Sequence, residues 1–412
     1  MRRLSLIVIC LLLSHSIWSF PKQLRATWLT TVVNIDWPQT TGADAQKAEL
    51  SRMLDSIAAL NMNAVFFQVR SCADAMYASS YEPWSMYLGN SRGTAPGYDP
   101  LLYCIDECHK RGLECHAWLN PYRYSRTGEG YSQADDDSLN YERQHPEWLL
   151  YYKKQIILNP GLPEVTERIC LIVKDIITRY EVDGIVFDDY FYPYGGTTNQ
   201  DMSVFQSAAS VHPDLNIHDW RRANVNNMIK TVHDTIKYYC PTMPFGVSPF
   251  GIWTMDSTVA ASQGIELPKG ISGSDMYKEI YCDPVAWLKD GSVDYISPQL
   301  YWKTGGKQDY RTLVHWWTQL AERFGVRCYP SIAMYKYGPP TKKGVYSLDE
   351  MLTEIALTRE ASKDSVSGVV FYNTSCWMHR NVLRTAIRKT LFAEKAETPF
   401  ERLTDYENIG NR

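Results

Sequence analysis

The chain has 412 residues, and its 42 Lys and Arg against 46 Asp and Glu give a formal charge of −4. That balance offers nucleic acid no basic surface, and the length, which as a bare prior suggests two or three domains, also fits one barrel domain with insertions. Its 28 Tyr and 13 Trp could supply flat faces for sugar rings, but such residues also fill cores, so composition only raises the expectation of a glycan partner.

Residues 1–20 read as a secretory signal, with Arg2 and Arg3 at the positive start, an apolar stretch from Leu4 to Leu13, and a more polar exit to Phe20. About ten apolar residues are too few to span a bilayer, which takes roughly 20, and no later run comes close. The mature protein is therefore expected to be soluble, without a membrane span, and periplasmic or secreted. Val8 and Ile9 are bulky where lipoprotein processing favours small residues, which argues against lipid on Cys10. The nine other cysteines form no CxxC pair and no zinc-type spacing, so neither metal nor organic cofactor is expected, and an odd count leaves at least one unpaired. Cys104 and Cys108, four apart on a predicted helix, read as small buried apolar residues.

From residue 24 onward, short apolar runs alternate with helical patterns. The runs are 24–32, 64–69, 114–122, 184–192, 245–253, 295–302, 328–335 and 368–375; helical stretches include 44–60, 98–111, 163–180, 217–239, 309–324, 347–361 and 378–394. Eight such βα units predict an α/β fold, a single (β/α)8 TIM barrel over 21–395, followed by a polar, loosely held tail over 396–412. The third βα loop, about 123–162, carries the acidic run 135–137, read as solvated because no calcium-loop spacing follows it. It continues into WLLYYKKQIILNP, read as an inserted hairpin over the barrel mouth. The fifth, about 254–282, is rich in Ser and Gly and is expected to form a rim or lid.

Barrel strands are buried on both faces, so polar residues at their carboxyl ends mark where side chains meet substrate. These are Arg70, Asn120, Arg123, Asp188, Asp189, Ser248, Gln299, Tyr301, Trp302 and Asn373. The sharpest feature is DGIVFDDYFYP at 183–193. Alternation puts Val186, Asp188 and Tyr190 on one face and Phe187 and Asp189 on the other, so one aspartate should enter the barrel. Analogy with other barrel hydrolases makes that Asp188, leaving Asp189 on the rim or orienting a neighbour; the alternative is that both pair with Arg70 or Arg123 and do no chemistry. Glycoside cleavage usually takes two carboxyl groups, and the second is Asp189, Asp36 or a loop acid such as Glu279. Trp302 and Trp377, past strand ends, are expected to stack on sugar rings, whereas Trp28, Trp118 and Trp253 read as core or wall. Arg25 reads as a buried arginine paired with an acid, and His116 as packed and hydrogen bonded. Arg70, Asn120 and Arg123 suit hydroxyl, acetamido or lactyl groups.

Seven segments, RATWLTT (25–31), FFQVR (66–70), AWLNPYR (117–123), ILNPGLPEV (157–165), DGIVFDDYFYP, SPFGIW (248–253) and PQLYW (298–302), together resemble the glycosyl-hydrolase-like family ten barrels over about residues 24–390. That family includes a bacterial divisome-associated enzyme acting on peptide-free peptidoglycan, so the resemblance implies a TIM barrel, export and a glycan substrate. DGIVFDDYFYP is also distantly similar to the fourth-strand motif of chitinase-type hydrolases, but Tyr190 stands where their acid glutamate would be. Trp302 likewise replaces an aspartate, so their substrate-assisted chemistry does not carry over. The expectation is an O-glycoside hydrolase of peptidoglycan strands in which Asp188 acts and Asp189 supports it. Tyr190, Ser248, Gln299, Tyr301, Trp302, Asn373 and Trp377 join Arg70, Asn120 and Arg123 in binding. A hydrolase of dietary or host polysaccharide and a non-catalytic glycan-binding barrel remain open; a metal-dependent deacetylase is weakened by the missing His/Asp ligand set.

Overall fold

The computed structural model describes residues 21–89, 91–131, 139–208, 213–339, 344–362 and 367–400. The segment read as a signal and the acidic run 135–137 lie outside them. The barrel strands are β1 (Leu24–Leu29), β2 (Ala64–Arg70), β3 (Glu114–Leu119), β4 (Gly184–Phe187), β5 (Phe245–Val247), β6 (Tyr295–Ile296), β7 in two pieces (Arg327–Cys328 and Ser331–Ala333) and β8 (Gly368–Tyr372). Each pairs in parallel with the next, and β8 returns to β1 through Leu24 opposite Gly368. The first piece of β7 pairs with β6 and the second with β8, with Pro330 between them. Proline donates no backbone hydrogen bond, so the strand is interrupted there while the ring still closes.

The strand runs are apolar because both faces are covered. Inside the ring, Leu24, Ala26, Trp28, Phe66, Trp118, Val186, Tyr295, Tyr329 and Val370 fill the barrel. Trp28 meets Phe66 and Trp118 edge-on at centroid distances of 4.9 and 4.8 Å. Glycines on β4 and β5 make room for the large rings below. A Cβ on Gly184 would stand 2.4 Å from Nδ1 of His116, and one on Gly246 would stand 2.1 Å from the Tyr295 ring. His116 is packed as expected, with Nε2 at 3.0 Å from Glu114.

Helices Ala43–Ala58, Pro100–Lys110, Pro163–Arg179, Ile217–Tyr239, Tyr310–Arg323 and Leu348–Ala361 fall where the sequence periodicity puts them. The last stretch divides into Ser375–His379 and Asn381–Lys389, and a short helix, Pro284–Asp290, capped by Asp283, fills the crossover into β6. No helix of the described residues is long and apolar enough to cross a membrane. The third βα loop does form a hairpin, Leu149–Tyr152 with Gln155–Leu158, extended by Arg123–Ser125 into a three-stranded antiparallel sheet.

Two expectations need correcting. The tail is not loose over residues 396–400: Thr398 donates to Glu114, and the Phe400 ring lies 5.5 Å from those of His116 and Tyr295, at the amino end of the barrel. Arg25 pairs with no acid among the described residues. It donates instead to Gln23 Oε1 and to the carbonyls of Asn61 and Glu394, tying β1 to the end of the chain.

Candidate functional site

Two residues beyond the inward-facing Trp28, Phe66, Trp118, Val186 and Val370, strand alternation reaches Thr30, Gln68, Asn120, Asp188 and Tyr372. All of these except Asn120 line one cleft of about 430 Å³ at the carboxyl ends of the strands, the end at which barrels of this type carry their sites. Arg123, Arg126 and Tyr190 complete one side; Tyr194, Ser248, Phe250 and Gln299 a second; Tyr301 and Tyr335 a third. Tyr190, Tyr194 and Tyr335 are about two-fifths exposed, so their rings are available to a ligand.

Among the described residues lining this cleft, Asp188 is the one carboxylate. Trp118 Nε1 donates to Oδ2 at 3.1 Å, Asn120 Nδ2 to Oδ1 at 2.8 Å, and the Tyr190 backbone N–H to Oδ1 at 3.4 Å. Burial raises its pKa, while the facing Arg123 and the two side-chain donors oppose that rise and favour the ionised form. The Arg123 guanidinium also lies 4.8 Å above the Tyr190 ring, and its Nε donates to the Ser71 carbonyl at 2.9 Å. Ser248 Oγ donates to the Ser297 carbonyl.

Asp189 is fully buried and not among the residues lining the cleft. It accepts a hydrogen bond from the Tyr194 hydroxyl and another from Gln299 Nε2 at 3.0 Å, and both donors line the cleft. Its pKa is pushed up to about 7, first by burial; the Tyr194 hydrogen bond works against this and the charge of Asp188 adds to it. The adjacent acids thus sit in different environments, one donor-rich and facing an arginine, the other sealed behind a phenol.

Several residues expected to bind substrate do not reach the cleft. Arg70 is buried and forms a bidentate pair with Glu82, with a further donor on the Pro121 carbonyl. Gln68 follows the inward alternation from Phe66, and a register shift between Gln68 and Arg70 breaks that alternation before Arg70. Asn120 touches Asp188 from behind. Asn373 donates to Asp36 at 2.7 Å, and Trp302 packs edge-on against Phe250. Trp377 is fully buried against Phe371, with its indole N–H on Thr27. Neither loop candidate for a second carboxylate lines the cleft. Asp36 is spent on Thr30, Asn373 and Ser375, while Glu279 ends a short helix of the fifth loop, none of which reaches the cleft. Sequence reasoning left out Gln68, Arg126, Tyr194, Tyr335 and Tyr372 as site residues; alternation from Phe66 and Val370 was the signal for Gln68 and Tyr372. It also read Trp28 and Trp118 as core or wall; both are wall.

Among the described residues, the group able to offer three ligand atoms to a metal is Cys104, Cys108 and Cys115, buried between helix Pro100–Lys110 and β3 and apart from the cleft lining.

The molecule is a (β/α)8 TIM barrel with an acid-bearing, aromatic-walled cleft at the carboxyl ends of its strands. The chain belongs to the glycosyl hydrolase-like 10 family, which it matches over residues 23–347. It is 36% identical over 348 residues to glycosyl hydrolase YngK of Bacillus subtilis (strain 168), a match covering 82% of this chain and only 66% of that longer protein. It is likewise 36% identical over 336 residues to glycosyl hydrolase DigH of Escherichia coli (strain K12), covering 77% of this chain and 75% of that one. The glycoside hydrolase domain of PgaB (BpsB) from Bordetella bronchiseptica shares the fold, with a TM-score of 0.52 at 12% identity over 89% of this chain and 98% of that chain.

Proposed function

We propose that the protein hydrolyses O-glycosidic bonds within a polymer of β-linked amino sugars outside the cytoplasm, with peptide-free peptidoglycan strands as its substrate. The observation that carries this is the placement of Asp188: an ionisable carboxylate at the floor of a tyrosine-walled cleft, held by Trp118 and Asn120 and faced by Arg123. Glycoside cleavage passes through an oxocarbenium-like transition state, and a fixed carboxylate in a partly dry cleft stabilises that charge. The rings of Tyr190, Tyr335 and Tyr372 suit the apolar faces of successive sugars, while Gln68, Arg123 and Arg126 suit their acetamido and carboxylate groups. Family membership and the relatives named glycosyl hydrolase support the activity. The resemblance noted in the sequence supports the substrate, and the signal-like pattern of residues 1–20 supports export.

A second reading, a barrel that binds glycan without cleaving it, is favoured by the single carboxylate that the described residues place on the cleft surface. Incubating the protein with peptide-stripped peptidoglycan and a panel of other polysaccharides, and identifying soluble fragments by mass spectrometry, separates the two. Hydrolysis releases fragments that Asp188→Asn does not release; a binder retains the glycan and releases none.

A further inference from the structure

Glycoside hydrolysis needs a proton for the departing oxygen, and among the described residues the cleft surface holds no second carboxyl group to give it. Resting on the hydrolase assignment above, we propose that Tyr194 is the group that protonates the leaving oxygen, with Asp189 behind it as the proton reservoir.

Three features of the site carry this. Tyr194 lines the cleft, whereas Asp189 is fully buried and reaches the cleft only through its partners. Those partners are Tyr194, whose hydroxyl is hydrogen bonded to Oδ2, and Gln299, which holds Oδ1 at 3.0 Å and is itself fixed by the Ser248 carbonyl at 3.1 Å. Gln299 thereby leaves Oδ2 for the phenol: the Tyr194 hydroxyl donates to it while Asp189 is a carboxylate, and the hydrogen bond reverses when Oδ2 carries a proton, which frees the Tyr194 proton for the substrate. Tyr190 and Phe250 pack against the Tyr194 ring at 5.4 and 6.2 Å and fix its plane. Asp188 follows the inward register of Val186, and it and Tyr194 line the same cleft. The value of about 7 for Asp189 agrees with a reservoir that is partly protonated at neutral pH.

The step balances. As the bond from the anomeric carbon to the leaving oxygen breaks, its electron pair stays on that oxygen, which takes the Tyr194 proton. Tyr194 takes the proton from Asp189, which becomes a carboxylate. A water then adds its oxygen to the anomeric carbon, and its released proton returns through Tyr194 to Asp189, restoring the site. A phenol alone is too weak an acid for this task, and burial and the neighbouring Asp189 weaken Tyr194 further, so the relay requires that Asp189 pass its proton on as Tyr194 gives its own up.

The test compares two substrates that differ in their need for acid: peptide-free peptidoglycan strands, which expel a sugar alkoxide, and the dinitrophenyl β-glycoside of an N-acetylglucosamine disaccharide, which expels a stable phenolate. Loss of a general acid typically costs ~10²–10⁴-fold. Tyr194→Phe and Asp189→Asn should each lose at least about 100-fold on the strands and less than about 10-fold on the aryl glycoside. Equal losses on both substrates, or no loss in Tyr194→Phe, would overturn the relay while leaving hydrolysis standing. An unaltered protein that cleaves neither substrate would overturn hydrolysis and the relay with it. A proton inventory on the unaltered protein in mixed light and heavy water needs no variant: two protons in flight give a curved plot, and a straight line contradicts the relay.

Discussion

Asn120 and Asp188 are joined across neighbouring strands: Asn120 donates Nδ2–H to Oδ1 of Asp188 at 2.8 Å, and its own Oδ1 takes the Arg123 backbone N–H at 2.8 Å. One amide thus fixes both the carboxylate and the arginine that faces it, without touching the cleft surface. Hydrogen bonds to buried charged groups are worth ~1.5–3 kcal/mol. Asn120→Ala is expected to lower kcat about 10- to 100-fold, with KM changed far less, in steady-state kinetics on released reducing ends. A loss confined to KM would show that Asn120 serves binding instead.

Arg70 and Glu82 form a fully buried ion pair, with Arg70 also holding the Asn120–Pro121 turn through its carbonyls. Removing one partner strands a buried charge, which typically costs ~3–5 kcal/mol. Arg70→Ala is expected to shift the urea midpoint by that order, and Glu82→Gln to do nearly as much. Glycan affinity of whatever Arg70→Ala remains folded should be unchanged, because the guanidinium does not reach the cleft.

The fold's response to pH isolates Asp189. Its carboxyl is raised from 3.8 to about 7 by burial, so between these values the folded chain holds a proton that the unfolded chain has released. Stability from this group is therefore fully present below about pH 4, falls as pH rises through 7, and is then flat. Asp36, Asp188 and Glu354, also raised by burial, contribute in the same sense, so the variant rather than the whole curve carries the test. Urea midpoints from pH 4 to 8 should fall more steeply for the unaltered protein than for Asp189→Asn; parallel curves would mean that Asp189 titrates normally.

Tyrosines and tryptophans divide by position. Tyr335 is 45% exposed on the cleft wall, whereas Trp377 is fully buried. Tyr335→Ala should weaken glycan binding by an aromatic contact's worth, ~0.5–1.5 kcal/mol or up to about tenfold in Kd, with little loss of stability. Trp377→Ala should cost ~3–5 kcal/mol of folding free energy with no binding defect in the folded fraction. Calorimetric titration with a soluble amino-sugar oligomer and thermal melts read both.

The contrast shows what could be read from the chain. Every barrel strand is visible as an apolar run because burial on both faces leaves a continuous signature; alternation along β4 only puts Asp188 and Asp189 on opposite faces, and analogy with other barrel hydrolases points to Asp188. The same alternation along β2 and β8 points to Gln68 and Tyr372, whereas a polar residue at a strand end need not face the mouth. Arg70 turns away where a register shift intervenes, and Asn373 is captured by the buried Asp36. Trp377 reads as a platform because it lies past the end of β8, but it sits on the short helix Ser375–His379 and packs against Phe371. Tyr194 was invisible for a different reason: its role depends on a loop that folds back onto Asp189, and no local pattern encodes that return.

Hydrolysis by Asp188 is tested most directly in water enriched in ¹⁸O. Peptide-free peptidoglycan strands are incubated with the unaltered protein and with Asp188→Asn, and the new reducing ends are weighed by mass spectrometry. One ¹⁸O at each new anomeric carbon with the unaltered protein, and no new ends above background with the variant, is the predicted result. Strands that are bound but gain no reducing ends, or ends formed equally by Asp188→Asn, would contradict it.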